Sequence, residues 1–171
     1  MKKSPIFQTG AVAQAWSTAP IQRQPNLGPR ILVVGDDLLI LRLNSEVLSY
    51  VGYQVDAVND AAAAWEALLV NDYDLMITDN DMPRVTGVNL LMKVHSTRMA
   101  MPVVMATGTL PAEKFAQFPG LKPTAVVIKP YTLDELLATV EDVLHATAAA
   151  RAKISPPPSW QGKLATGDLR P

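Results

Sequence analysis

An α/β fold built around a parallel sheet is what this sequence predicts, and three observations carry the expectation. Short β-branched runs recur between Arg30 and Ala148, the segments separating them repeat apolar residues at three- and four-residue spacing, and turn or cap residues stand at the joins. That alternation marks βαβ units, in which each helix carries the chain back to start the next parallel strand.

The first strand is expected over residues 31–34 and the first helix over about 38–51. There Ile40, Leu43, Val47, Leu48 and Val51 form one stripe that should pack on the sheet, and Gly52 stops the helix. A second strand, 54–58, leads through the cap candidates Asn59 and Asp60 into a helix over 61–70 that Asn71 ends. The third strand, 75–78, is an apolar run closed by Asp79, and a helix over 88–96 follows Gly87. A fourth strand, 103–106, precedes a short helix near 112–118 that Pro119 and Gly120 break. The fifth strand, 125–128, precedes a helix opening at Thr132, where Glu135 completes a capping box and Leu136, Leu137, Val140, Val143 and Leu144 continue the stripe.

These elements make one domain over residues 30–148. Residues 1–29 carry Pro5, Pro20, Pro25 and Pro29 without periodicity, and 149–171 contain Ser155-Pro156-Pro157-Pro158-Ser159, so both ends are expected to be disordered tails. Trp16 and Trp160 fall in these tails, outside any core. A net charge of −1 with no Lys/Arg cluster gives no reason to expect a nucleic-acid partner. The lack of cysteine excludes disulfides, thiolate zinc sites and thiol catalysis. No apolar run reaches the roughly 18–20 residues of a membrane span, and a cytoplasmic protein is the default expectation.

A parallel sheet gathers the carboxyl ends of its strands at one rim, where ligands collect. Here those ends are Gly35-Asp36-Asp37, Asp79, Thr107-Gly108 and Lys129-Pro130. Two or three carboxylates, a hydroxyl and an ammonium would therefore meet. Crowded carboxylates need a cation to offset their repulsion, and a hard ion with oxygen ligands, Mg²⁺ before Ca²⁺ or Mn²⁺, suits them.

Asp36, Asp79 with the following Met82-Pro83 and Gly87, Thr107, and Lys129-Pro130 together resemble the receiver domain of two-component response regulators, in order and spacing from about Arg30 to Ala148. The resemblance implies a doubly wound, flavodoxin-like sheet in the order 2-1-3-4-5 with five flanking helices. It also implies phosphoryl transfer to Asp79 from a sensor histidine kinase or phosphotransfer protein. By it, Asp79 is the nucleophile and phosphoacceptor, and Mg²⁺ is held by Asp36, Asp79 and the Asp81 main-chain carbonyl. Thr107 bonds one phosphoryl oxygen and Lys129 pairs with another. The output would be a change in binding to a downstream protein, with homodimerisation on phosphorylation as one form. The surface of the fourth helix, fifth strand and fifth helix, including Lys114, Val126 and Tyr131, is the partner face that the resemblance implies.

Two departures stand out. Gly35 occupies the first of two positions that are usually acidic in that family, with Asp37 one step beyond as a further metal ligand through a water. Val126 replaces the aromatic often found three positions before the lysine; Tyr131, two positions after it, is not that switch residue. Three readings follow: a stand-alone phosphoacceptor receiver, since no folded output domain fits the C-terminal residues; an unphosphorylated interaction module, favoured by Gly35 and Val126; and an Asp-nucleophile phosphatase, because Asp79-Asn80-Asp81 resembles the start of haloacid-dehalogenase-type hydrolases. That last pattern normally follows an early strand and needs a cap absent here. Asp56, Asp60, Asp72 and Asp74 are expected to be solvated, His95 and His145 to serve helix ends, and Trp65 to pack.

Overall fold

The computed structural model describes residues 28–118 and 120–154, so the arm expected before residue 28 and the tail beyond 154 lie outside the described residues. The elements run β1 (Arg30–Val34), α1 (Leu38–Tyr50), β2 (Gln54–Val58), α2 (Ala61–Val70), β3 (Leu75–Asp79), α3 (Gly87–Ser96), β4 (Val103–Thr107), α4 (Ala112–Gln117), β5 (Ala125–Ile128) and α5 (Leu133–Ile154). All pairings are parallel and the sheet order is β2-β1-β3-β4-β5. The expected doubly wound five-stranded sheet is the one observed.

Period-two alternation along the strands divides the core between the two faces. Leu32, Val34, Met76, Val103 and Met105 point to one side, where they meet Ala64 and Leu68 of α2, Val88 and Leu91 of α3, and Phe115 of α4. Ile31, Val33, Leu75, Ile77 and Val104 point to the other, against Leu41 and Leu48 of α1 and Leu136 and Val140 of α5. Strands β3 and β4 are buried along their whole length, which is why they read as unbroken apolar runs, whereas β2 at the edge keeps Gln54 and Asp56.

The register fixes the rim. Asp79 pairs with Ala106 and Thr107 with Ile128, so the residues closing β3, β4 and β5 fall at one level.

In α1 the expected stripe is corrected. Leu41, Asn44 and Leu48 are buried, whereas Leu43 and Val51 are exposed and Ile40 is 38% exposed. Leu38 to Leu41 and Leu43 wrap apolar character around most of the helix, so periodicity alone left its phase open. Asp37 fixes the start of the helix: its carboxylate caps the first turn through Leu39 N–H at 2.9 Å and Ile40 N–H at 3.1 Å. Gly52 follows the helix with φ of +102°, a left-handed conformation that suits a residue without a side chain.

The capping box of α5 forms as expected: Thr132 N–H donates to Glu135 Oε2 at 2.7 Å and Glu135 N–H to Thr132 Oγ1 at 3.2 Å. The helix then continues past the expected domain end at Ala148 to Ile154. Its added turns are rich in alanine, the best helix former, and Arg151 reaches Asp74 Oδ1 at 3.7 Å and the Ala100 carbonyl at 3.3 Å.

Asp56 and Asp74 are likewise not simply solvated. Arg30 bonds Asp56 through Nε at 2.9 Å and Asn71 Oδ1 at 3.1 Å, and its backbone N–H donates to Asp74 at 3.0 Å. Tyr73 donates its hydroxyl to the same Asp56 at 2.7 Å, under the Arg30 guanidinium. Burial, then the Asp56 carboxylate, pushes the Tyr73 hydroxyl up to about 12. Asp60 caps α2 through Ala63 N–H at 2.8 Å, and Lys93 lies 4.0 Å above the Trp65 ring. No helix among the described residues is long and apolar enough to cross a membrane.

Candidate functional site

Asp79 ends a strand that is buried throughout, and it is itself only 8% exposed. A carboxylate there must be bonded, since an uncompensated buried charge is costly. Its Oδ1 accepts the Asp81 N–H at 2.8 Å, and its Oδ2 forms an ion pair with Lys129 Nζ. Lys129 arrives from the end of β5, where its own N–H donates to the Thr107 carbonyl at 2.9 Å; its bond to Pro130 is cis.

Thr107 is fully buried at the end of β4. Its Oγ1 donates to the Thr109 carbonyl at 2.7 Å and accepts the Thr109 N–H at 3.3 Å, so the hydroxyl is turned into its own loop. Asp81 bridges two loops: its Oδ2 accepts the Gly108 N–H at 3.1 Å, while its backbone N–H serves Asp79. Gly87, which opens α3, is pressed on the end of β3. A Cβ there would lie 2.4 Å from the Asp79 carbonyl oxygen and 2.9 Å from Asn80 Cα, so only glycine fits.

The other acids are placed less centrally than the sequence led us to expect. Asp36 is exposed and makes no hydrogen bond or ion pair among the described residues. Asp37 caps α1 through one carboxylate oxygen and lines the cleft over Asp79. Among the described residues no three acidic or histidine side chains surround one point. Gly35 stands beside Asp79 at the end of β1 and brings no carboxylate. A Cβ on Gly35 would meet only Asp79 Cβ, at 3.7 Å.

A small cleft lies over Asp79, walled by Gly35, Asp37, Ile40, Leu41, Asn44, Lys129 and Tyr131. Asn44 is the residue that sequence reasoning missed. It is 5% exposed on the inner face of α1 and donates to the Tyr131 hydroxyl at 2.9 Å. The signal was present as an amide in the middle of an apolar helix. Val126 is half-buried in β5 opposite Met105.

The sequence profile of the response regulator receiver domain matches residues 31–141, the span that holds every rim residue just described. This chain belongs to the response regulator receiver family.

Receiver relatives of known name include the transcriptional regulatory protein RprY of Bacteroides fragilis, 28% identical over 126 residues, covering 74% of this chain and 53% of RprY. The transcriptional regulatory protein CutR of Streptomyces coelicolor is 32% identical over 119 residues, covering 70% of this chain and 55% of CutR. The sensor histidine kinase RcsC of Salmonella typhi is 30% identical over 142 residues, 83% of this chain and 15% of the kinase. The chain thus spans about half the length of the two regulators and a small part of the kinase. Among solved structures, a CheY-like receiver from Methanospirillum hungatei superposes with a TM-score of 0.67 at 27% identity, covering 72% of this chain and 98% of that one. The response regulator TrrA of Thermotoga maritima, solved in complex with Mg²⁺ and BeF, gives 0.59 at 25% identity, covering 67% and 98%. Membership in the receiver family sets aside the haloacid-dehalogenase alternative.

Proposed function

We propose that this receiver accepts a phosphoryl group on Asp79 from a sensor histidine kinase or phosphotransfer protein, and that the modified rim alters binding to a downstream protein. The observation that carries the reading is the convergence of Asp79, Thr107 and Lys129 at the ends of three adjacent strands, with the lysine already paired to the aspartate. A carboxylate is a weak nucleophile, so transfer depends on holding the donor phosphorus in line while charge on its equatorial oxygens is neutralised. An Asp79 oxygen forms the new O–P bond as the bond from phosphorus to the donor imidazole breaks, and the imidazole takes up a proton. Lys129 supplies the ammonium, and rotation of Thr107 away from Thr109 supplies a hydroxyl donor.

A divalent cation fits the donor set, which is all oxygen: Asp79, the exposed Asp36 and the Asp81 main-chain carbonyl would hold it. Mg²⁺ is ordinarily held by one or two carboxylates with water completing its shell, so the gap at Gly35 thins the site without removing it. When bound, the ion supplies charge neutralisation at the phosphoryl oxygens.

Intact mass after incubation with Mg²⁺ and acetyl phosphate tests the proposal. A single phosphoryl adduct is expected, absent in Asp79→Asn and strongly reduced in Asp36→Asn. The missing acid at Gly35 favours a second reading, an interaction module that is never phosphorylated. No adduct on the folded chain, with a working receiver labelled in parallel, would establish it.

A further inference from the structure

We propose that Asn44 and Tyr131 are positioning residues for Lys129, acting through the hydrogen bond that fastens the loop between β5 and α5 to α1. Only the kinetic arm of its test rests on the reading of Asp79 as phosphoacceptor.

Asn44 holds a position on the inner face of α1 where its neighbours one turn away, Leu41 and Leu48, are buried leucines. A buried amide is tolerated there only if it is bonded, and its Nδ2 has the Tyr131 hydroxyl at 2.9 Å. Tyr131 follows Lys129 by two residues, packs against the core between the sheet and α5, and lines the same cleft as Asn44, Asp79 and Lys129. The lysine is therefore fixed from both sides. Its own N–H is tied to the Thr107 carbonyl, and the loop beyond it is tied to α1.

Lysine is a point charge on a flexible four-carbon stem, so where its ammonium spends its time depends on how firmly its backbone is held. With the Tyr131 end released, the loop at an edge strand gains freedom and the ammonium leaves Asp79 more often. Misplacement of a charge-neutralising group by even a fraction of an ångström slows group transfer.

The test uses the full chain with Tyr131→Phe, Tyr131→Phe/Asn44→Leu, and Tyr131→Phe in a Lys129→Ala background. Side-chain order of Lys129 by NMR relaxation is read beside the rate of labelling by acetyl phosphate with Mg²⁺. Tyr131→Phe is expected to lower Lys129 order and slow labelling about fivefold. The double variant regains thermal stability without regaining the rate, and Tyr131→Phe slows labelling no further once Lys129 is alanine. Unchanged Lys129 order would overturn the proposal, as would recovery of the rate with stability, or an equal loss in the Lys129→Ala background. If the parent chain takes no label, the acceptor reading falls and Lys129 order alone decides this inference.

Discussion

Asp81 holds Gly108 across the rim: one carboxylate oxygen accepts the Gly108 N–H at 3.1 Å, while the Asp81 N–H donates to Asp79 Oδ1 at 2.8 Å. The loop after β3 and the loop after β4 are thus joined through a single residue next to the buried carboxylate. Asp81→Ala removes the side-chain half of the bridge and leaves the backbone half. It should cost about 1 kcal/mol of stability, the worth of one such bond, and speed amide hydrogen exchange at Gly108 and Thr109.

Restoring the second acid should strengthen the metal site. Gly35→Asp adds a carboxylate beside Asp79, on a Cβ whose near neighbour is the Asp79 Cβ at 3.7 Å. Mg²⁺ affinity by calorimetric titration should rise about tenfold, equivalent to roughly 1.4 kcal/mol. The metal-free variant should melt earlier than the parent chain, because like charges are then crowded without a cation. An unchanged affinity would place the ion away from the end of β1.

Gly87→Ala should be poorly tolerated. The added methyl would sit 2.4 Å from the Asp79 carbonyl oxygen, which is backbone and cannot swing aside. A loss of about 2–3 kcal/mol is expected from the forced shift of α3, measured by urea unfolding. Gly120→Ala, whose methyl would meet nothing, is the control.

At high pH the Tyr73 network should weaken. The hydroxyl is raised to about 12 in the folded chain from an ordinary value of 10.0. Between these values the unfolded chain has lost the proton while the folded chain keeps it, so stability falls as pH rises from about 10 toward 12. Tyr73→Phe should be less stable than the parent at neutral pH, having lost the bond to Asp56, and should show a flatter decline through that window in thermal melts followed against pH.

The strands, the helix order and the positions of Asp79, Thr107 and Lys129 were legible because each chemical residue closes an apolar run, and such a run can end in only one place. The phase of α1 was not. Apolar residues nearly encircle its first turns, and the buried face is marked by a tertiary bond from Asn44 to Tyr131 on a helix whose start Asp37 caps. Asp37 and Asp36 are adjacent acids with identical chemistry; only the backbone path into α1 separates the cap from the solvent-facing carboxylate. The pairing of Arg30 with Asp56 and Tyr73 joins residues distant in sequence, which no local pattern records. The extension of α5 was hidden by its alanines, which read as a tail when a long-range anchor, Arg151, is out of view.

The length of α5 has a geometric outcome of its own. Its 22 residues extend about 33 Å, against roughly 17 Å for a five-residue strand. It starts beside Lys129 and ends where Arg151 grips Asp74 and Ala100, which precede β3 and β4. The helix therefore ends at the pole opposite Asp79. The last turn of α5 and the rim that holds Asp79 thus occupy opposite ends of the receiver domain.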